Sequence, residues 1–196
     1  MLLLAVVPVA WSQLPQPATG KATSKPPFAR EWWLNSDAEE RSGFLNGVAD
    51  CLTWTAHKKG FNATPEQIMD KIDKFYKSHS GSASLNVIDV WRKVGNEPEA
   101  DEAAEGQGET WKNAHWYLNG DWWMQAGEAE QLGFVEGYLW CLRTQVPATT
   151  ESYSGSADSY RRRIDAFVRA HPKQGNEAVA VTLRRYRDHE DATAPK

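Results

Sequence analysis

The chain has 196 residues, a net charge of −4 and a sequence pI of about 5.8, so its bulk charge carries no electrostatic footprint for nucleic acid or an anionic membrane surface. Its two cysteines and five histidines form no HxxxH pair and no zinc spacing, and neither a metal nor a cofactor is expected. Ten tryptophans are the compositional oddity.

The first residues, MLLLAVVPVAWSQ, join an apolar run to a small-x-small pattern at Ala10, Trp11 and Ser12. This is the form of a secretory signal peptide without its basic n-region, as a start codon assigned too late would leave it. The expectation is a signal peptide over 1–12 and a periplasmic or secreted mature chain. The run is far short of the roughly 20 residues that span a bilayer, so no stable membrane insertion is expected. Residues 13–29 are rich in Pro, Ser, Thr, Ala and Lys and read as a solvated, disordered leader.

The stretch from Glu31 to Leu52 organises everything after it, because it returns as Asp121 to Leu142. Trp32, Trp33, Glu40, Gly43, Phe44, Gly47, Cys51 and Leu52 meet Trp122, Trp123, Glu130, Gly133, Phe134, Gly137, Cys141 and Leu142 at one offset of 90 (122 − 32, 141 − 51). Aromatic, glycine and cysteine positions matching twice in one register mark a tandem duplication. Within the first copy, Ser36 to Glu39 has the form of a capping box with Ser36 as N-cap, opening a helix that carries Phe44, Val48, Cys51 and Leu52. Gly43 and Gly47 lie one turn apart and together cost such a helix roughly 1 to 2 kcal/mol against Ala. A close approach by another backbone or a bulky ring is expected there.

After a turn, Thr64-Pro65-Glu66-Gln67 is a second helix start, with Thr64 as N-cap and Gln67 at N3. Ile68, Ile72, Phe75 and Tyr76 give this helix an apolar stripe, and His79 stands at its negative end. A third helix, about Ser84 to Val94, presents Val87, Val90, Trp91 and Val94. Residues 96–110 fall within a stretch, Gly95 to Glu109, that has six acids and no base, and they read as an extended linker. Trp111 to Trp123 then packs five aromatic residues into thirteen positions, for which filling an interface is the default and an exposed ligand platform the alternative. The second unit repeats the pattern. Its loop from Arg143 to Ser159 is two residues longer, so Ile72, Asp73, Phe75 and His79 match Ile164, Asp165, Phe167 and His171 at an offset of 92 (164 − 72). Arg161 to Arg163 with Arg184, Arg185 and Arg187 form a local basic patch, whose simplest partner is the acidic linker or solvent.

The expected fold is all-α: two tandem three-helix units, 30–95 and 111–190, packed about a pseudo-two-fold axis and followed by a tail over 191–196. Equivalent residues near such an axis face each other, which makes a disulfide between Cys51 and Cys141 geometrically possible. Two buried free thiols acting as small hydrophobes are an equally open reading.

Gly43-Phe44-Leu45-Asn46-Gly47, Thr64-Pro65-Glu66-Gln67-Ile68 and Phe75-Tyr76-Lys77-Ser78-His79 resemble the Rap/Tai immunity-protein family, small exported helical bacterial proteins. Gly133-Phe134-Val135-Glu136-Gly137 and Phe167-Val168-Arg169-Ala170-His171-Pro172 carry the same likeness in the second unit. The family has one unit and its own intra-domain disulfides, whereas here there are two units with one cysteine each. The resemblance implies an all-α exported fold and, as partner, a cell-wall amidase held by a variable loop.

No catalytic set emerges from the residues, so the chain is expected not to be an enzyme. The leading function is a non-catalytic exported protein of binding type, an immunity-like inhibitor of a cell-envelope enzyme. The loops Thr53 to Ala63 and Arg143 to Ser159, which differ most between the copies, are the expected partner contacts. The alternatives are a small-ligand or glycan-binding module using exposed Trp32, Trp33, Trp122 and Trp123, and a hydrolase whose Glu40 and Glu130 face each other across a cleft.

Overall fold

The computed structural model describes residues 27–56, 64–82, 84–94, 118–145 and 153–186. The expected signal peptide, most of the leader and linker, Trp111 to Tyr117, Arg187, and much of both partner loops lie outside the described residues. Within them the protein is helical, with α1 (Arg30–Asn35), α2 (Ala38–Ala56), α3 (Pro65–Ser78), α4 (Val87–Lys93), α5 (Gly120–Gln125), α6 (Glu128–Gln145), α7 (Ala157–Ala170) and α8 (Val179–Arg184). No described helix is long and apolar enough to cross a membrane.

Among the described residues each half therefore shows four α-helices rather than three. The addition is a short helix, α1 or α5, built on the Trp-Trp pair and ended where the following residue, Ser36 or Ala126, turns to extended backbone. Its first turn is held by an isolated bridge to the residue before the last helix of the same half, Ala29 to Asn86 and Asn119 to Ala178. The chain enters α1 through Phe28, whose φ of 55° is rare for a residue with a side chain. That turn aims its carbonyl at Val87 N–H, 2.8 Å away.

The start of α2 also differs from expectation. Its cap is Asp37 rather than Ser36, because Asp37 Oδ1 accepts from Glu40 N–H at 2.7 Å and Ser36 is occupied in closing α1. The box at Thr64 forms as its residues dictate, with Thr64 Oγ1 accepting from Gln67 N–H and Gln67 Oε1 from Thr64 N–H. The last helix of the first half is shorter than 84–94, since Asn86 caps it by accepting from Asp89 N–H.

α3 and α7 are amphipathic and lie on the surface of their halves, burying Ile68, Ile72 and Tyr76 or Tyr160, Ile164 and Val168. α2 and α6 have almost no amphipathic bias, because each packs its own core on one side and the other long helix on the opposite side. Two cores result, one per half. They meet at Leu52 and Trp140, which touch both.

The seam between α2 and α6 runs backbone to backbone. A methyl on Gly43 would collide with the Glu130 carbonyl, and one on Gly47 with the Phe134 carbonyl; Gly133 meets the Glu40 carbonyl and Gly137 that of Phe44. Contacts advance by one turn on both helices together, so the two run parallel and in register. The close approach expected at the glycines is thus made by a helix backbone, replacing side-chain interdigitation with Cα–H to carbonyl contact. About one turn further on, Cys51 and Cys141 are joined in a disulfide with Cα atoms 6.1 Å apart. Both cysteines are wholly buried.

Candidate functional site

The sequence singles out two tryptophan pairs, two glutamates and two cysteines; the glutamates and cysteines stand on α2 and α6, and the tryptophans on the short helices α1 and α5. Trp33 and Trp123 are fully buried, at 0% exposure. They can offer no ring face to a sugar, which corrects their assignment as exposed binding residues. Trp32 and Trp122 are half-buried, 4.9 Å from the Phe44 ring and 5.5 Å from the Phe134 ring. The pairs fill the cores because a ring of this size gains more from burial than any other side chain.

The two halves treat their buried tryptophan differently. Trp33 Nε1–H donates to Asp73 Oδ1 at 2.7 Å, and Arg41 Nη1 donates to the same oxygen at 3.0 Å. The guanidinium lies 5.2 Å from the Trp33 ring, completing a triangle of indole, carboxylate and cation between α1, α2 and α3. In the second half Arg41 is replaced by Gln131, which turns inward and donates to the carbonyls of Trp123 and Ala126. Asp165 pairs with Arg169 instead, and Trp123 Nε1 is left buried without an acceptor. The Arg41-to-Gln131 difference was visible in the aligned copies; its effect on the indole was not.

Glu40 and Glu130 both stand in the first turn of a long helix, where a carboxylate suits the helix dipole. Their electrostatic neighbours differ. Burial raises the Glu130 carboxyl's pKa, and Glu39 and Glu66 raise it further. Glu40 acts instead on Glu136, a residue the sequence reading overlooked. What the structure brings together is acid against acid across the seam.

The described arginines of the basic patch each have partners within their own half. Arg161 binds Glu128 at 2.6 Å and Asp158 at 3.1 Å, Arg162 binds Asp158 at 3.0 Å, and Arg185 binds Glu177 at 2.7 Å. Arg163 lies between the Tyr160 and Tyr186 rings, and Arg184 Nε donates to Tyr138 Oη at 3.0 Å. Among the described residues the partners are carboxylates and rings of the same half, Arg162 and Arg185 staying largely open to solvent, and the acidic linker lies outside the described residues. Burial raises the Tyr138 pKa; Arg184 opposes that, and the buried Asp50 of the first half adds to it. His79 and His171 close α3 and α7 in the same way, each stacked on the phenylalanine one turn before it, with Nδ1 at 3.0 or 2.9 Å from that residue's carbonyl oxygen. Among the described residues no group of His, Cys, Asp and Glu is arranged to hold a metal ion.

The arrangement is that of a cross-linked scaffold whose aromatic and charged side chains mostly serve one another. Compared with protein-family models, with curated proteins and with solved structures, the chain matches none.

Proposed function

We propose that this chain is an exported, non-catalytic interaction protein, an immunity-like inhibitor that holds a cell-envelope enzyme on a rigid double scaffold. The observation that carries the reading is the disulfide between Cys51 and Cys141. Bonds of this kind persist in oxidising compartments, which fits the apolar N-terminal run read as a signal peptide. With both cysteines in the interior, the bond serves structure rather than redox chemistry. Further support comes from the two described tryptophan pairs, which pack into or against the cores. The partner surface in this reading is the loop after α2 or after α6, since loops on a fixed scaffold are where recognition changes most freely.

The reading is tested by adding the oxidised protein to secreted peptidoglycan amidases digesting purified sacculi. Stoichiometric inhibition of one amidase, lost when residues 57–63 or 146–152 are replaced by a Gly-Ser loop, is the expected result. Undiminished digestion across the amidases at excess protein would overturn the inhibitor reading. The intact mass of the chain recovered from the periplasm, with and without reductant and alkylation, tests the export claim separately. An uncut chain with two free thiols would remove that claim.

A further inference from the structure

Acid faces acid across the α2–α6 joint at two places, and among the described residues no cation acts on either. On one side Glu136 of α6 carries a carboxyl oxygen, Oε2, that is shut off from solvent and has no hydrogen-bond partner. Glu40 of α2 is the charged side chain that acts on it; among the described residues, neither α6 itself nor α7 adds another. On the other side Glu130 of α6 has Glu39 of α2 and Glu66 of α3 as neighbours. Glu39 reaches over the joint as well: a methyl on Gly127 would stand 2.6 Å from its Oε2. In the first half the position of Glu136 belongs to Asn46 (136 − 90), a neutral side chain.

A half-buried carboxylate with one oxygen shut off from solvent and without donors, in a glycine-tight joint and facing another carboxylate, is less favourable as an anion than as a neutral acid. The joint is also fastened unevenly. Cys51 and Cys141 pin the two helices toward their C-terminal ends, whereas the carboxyls all lie on the N-terminal side of that bond, Glu39, Glu40 and Glu130 in the first turns and Glu136 midway along α6.

We infer that the α2–α6 joint is a proton-responsive hinge, closed when Glu136 and Glu130 hold protons and loosened at its N-terminal end as they lose them, with the disulfide as its fixed point. Burial, and then Glu40, push the Glu136 carboxyl up to about 7 from an ordinary value of 4.5. Between those two values the folded chain keeps a proton that the unfolded chain has released. The stability contributed is therefore whole below the lower value and lost as pH rises through the upper one. Glu130 shifts in the same direction and adds to the same trend.

The experiment is thermal unfolding of the oxidised full chain at pH 5 and pH 8, as wild type and as Glu136→Gln, Glu130→Gln and the double variant. The amide keeps the shape and removes the titration. Expected is a wild-type Tm lower at pH 8, with Glu136→Gln recovering on the order of 2 to 8 °C at pH 8 and little at pH 5. A pH 5 to pH 8 difference unchanged in the double variant overturns the hinge. Amide exchange, corrected for intrinsic rate, gives a second reading on the wild-type protein alone. Protection lost at pH 8 in α1 and the first half of α2, but kept around Cys51, is expected; uniform loss or no loss along α2 would also overturn it.

Discussion

At the residue scale the contrast between Trp33 and Trp123 isolates a single hydrogen bond in two otherwise similar settings. Both indoles are fully buried, but only Trp33 has a carboxylate for its N–H. Replacing either with Phe removes the same ring volume. Trp33→Phe also strips Asp73 and Arg41 of a partner, whereas Trp123→Phe removes a donor that had none. Trp33→Phe is expected to lower unfolding free energy by about 1 to 2 kcal/mol more than Trp123→Phe, measured by urea titration. Equal losses would show that the Trp33 bond contributes nothing beyond packing. That the tryptophans matter to the repeated register was legible, whereas the choice between core filling and an exposed platform was decided by the fold, which buries Trp33 and Trp123. Which indole would find an acceptor was not legible either, because Asp73 and Asp165 are both present in the sequence and differ only in where Arg41, Gln131 and Arg169 draw them.

At the element scale the glycine ladder decides how two helices become one joint. In an isolated helix, Gly to Ala gains about 0.5 to 1 kcal/mol through backbone entropy. At Gly47 or Gly137 the added methyl would overlap a carbonyl of the facing helix, and backbone cannot step aside as a flexible side chain can. Gly47→Ala or Gly137→Ala is therefore expected to destabilise by about 1 to 3 kcal/mol, the usual range for overpacking. Gly81→Ala, where nothing stands within 4 Å, serves as the control and should change little. A stabilising effect at Gly47 would refute the close seam. The glycines announced that something had to come near, since two helix-weakening residues one turn apart need a reason. They did not say that it would be their own counterparts. Cap assignment shows the same division: Ser36 and Asp37 are both competent N-caps by type, and the short helix α1, ending at Asn35, leaves the role to Asp37.

At the scale of the whole molecule, two cores of modest size are tied by one covalent bond across 90 residues of sequence. Closing a loop of that length removes much of the unfolded chain's freedom, and the chain-entropy estimate for it is roughly 4 to 5 kcal/mol. The double variant Cys51→Ala, Cys141→Ala should lose about that much, read as a fall in the urea midpoint, with the two halves then free to unfold in separate steps. An unchanged midpoint would mean that the seam alone fixes the pair.

Helix type and most core positions followed from the sequence alone, because apolar spacing and the Thr64 cap are local properties that act over one or two turns. The matched register at an offset of 90 was equally legible, since it needs no coordinates. The disulfide, the acid-facing-acid joint and the internal use of the arginines were decided only by tertiary structure. Each depends on which face of α2 meets which face of α6, and distances between residues 90 apart in sequence are set by packing, not by local preference.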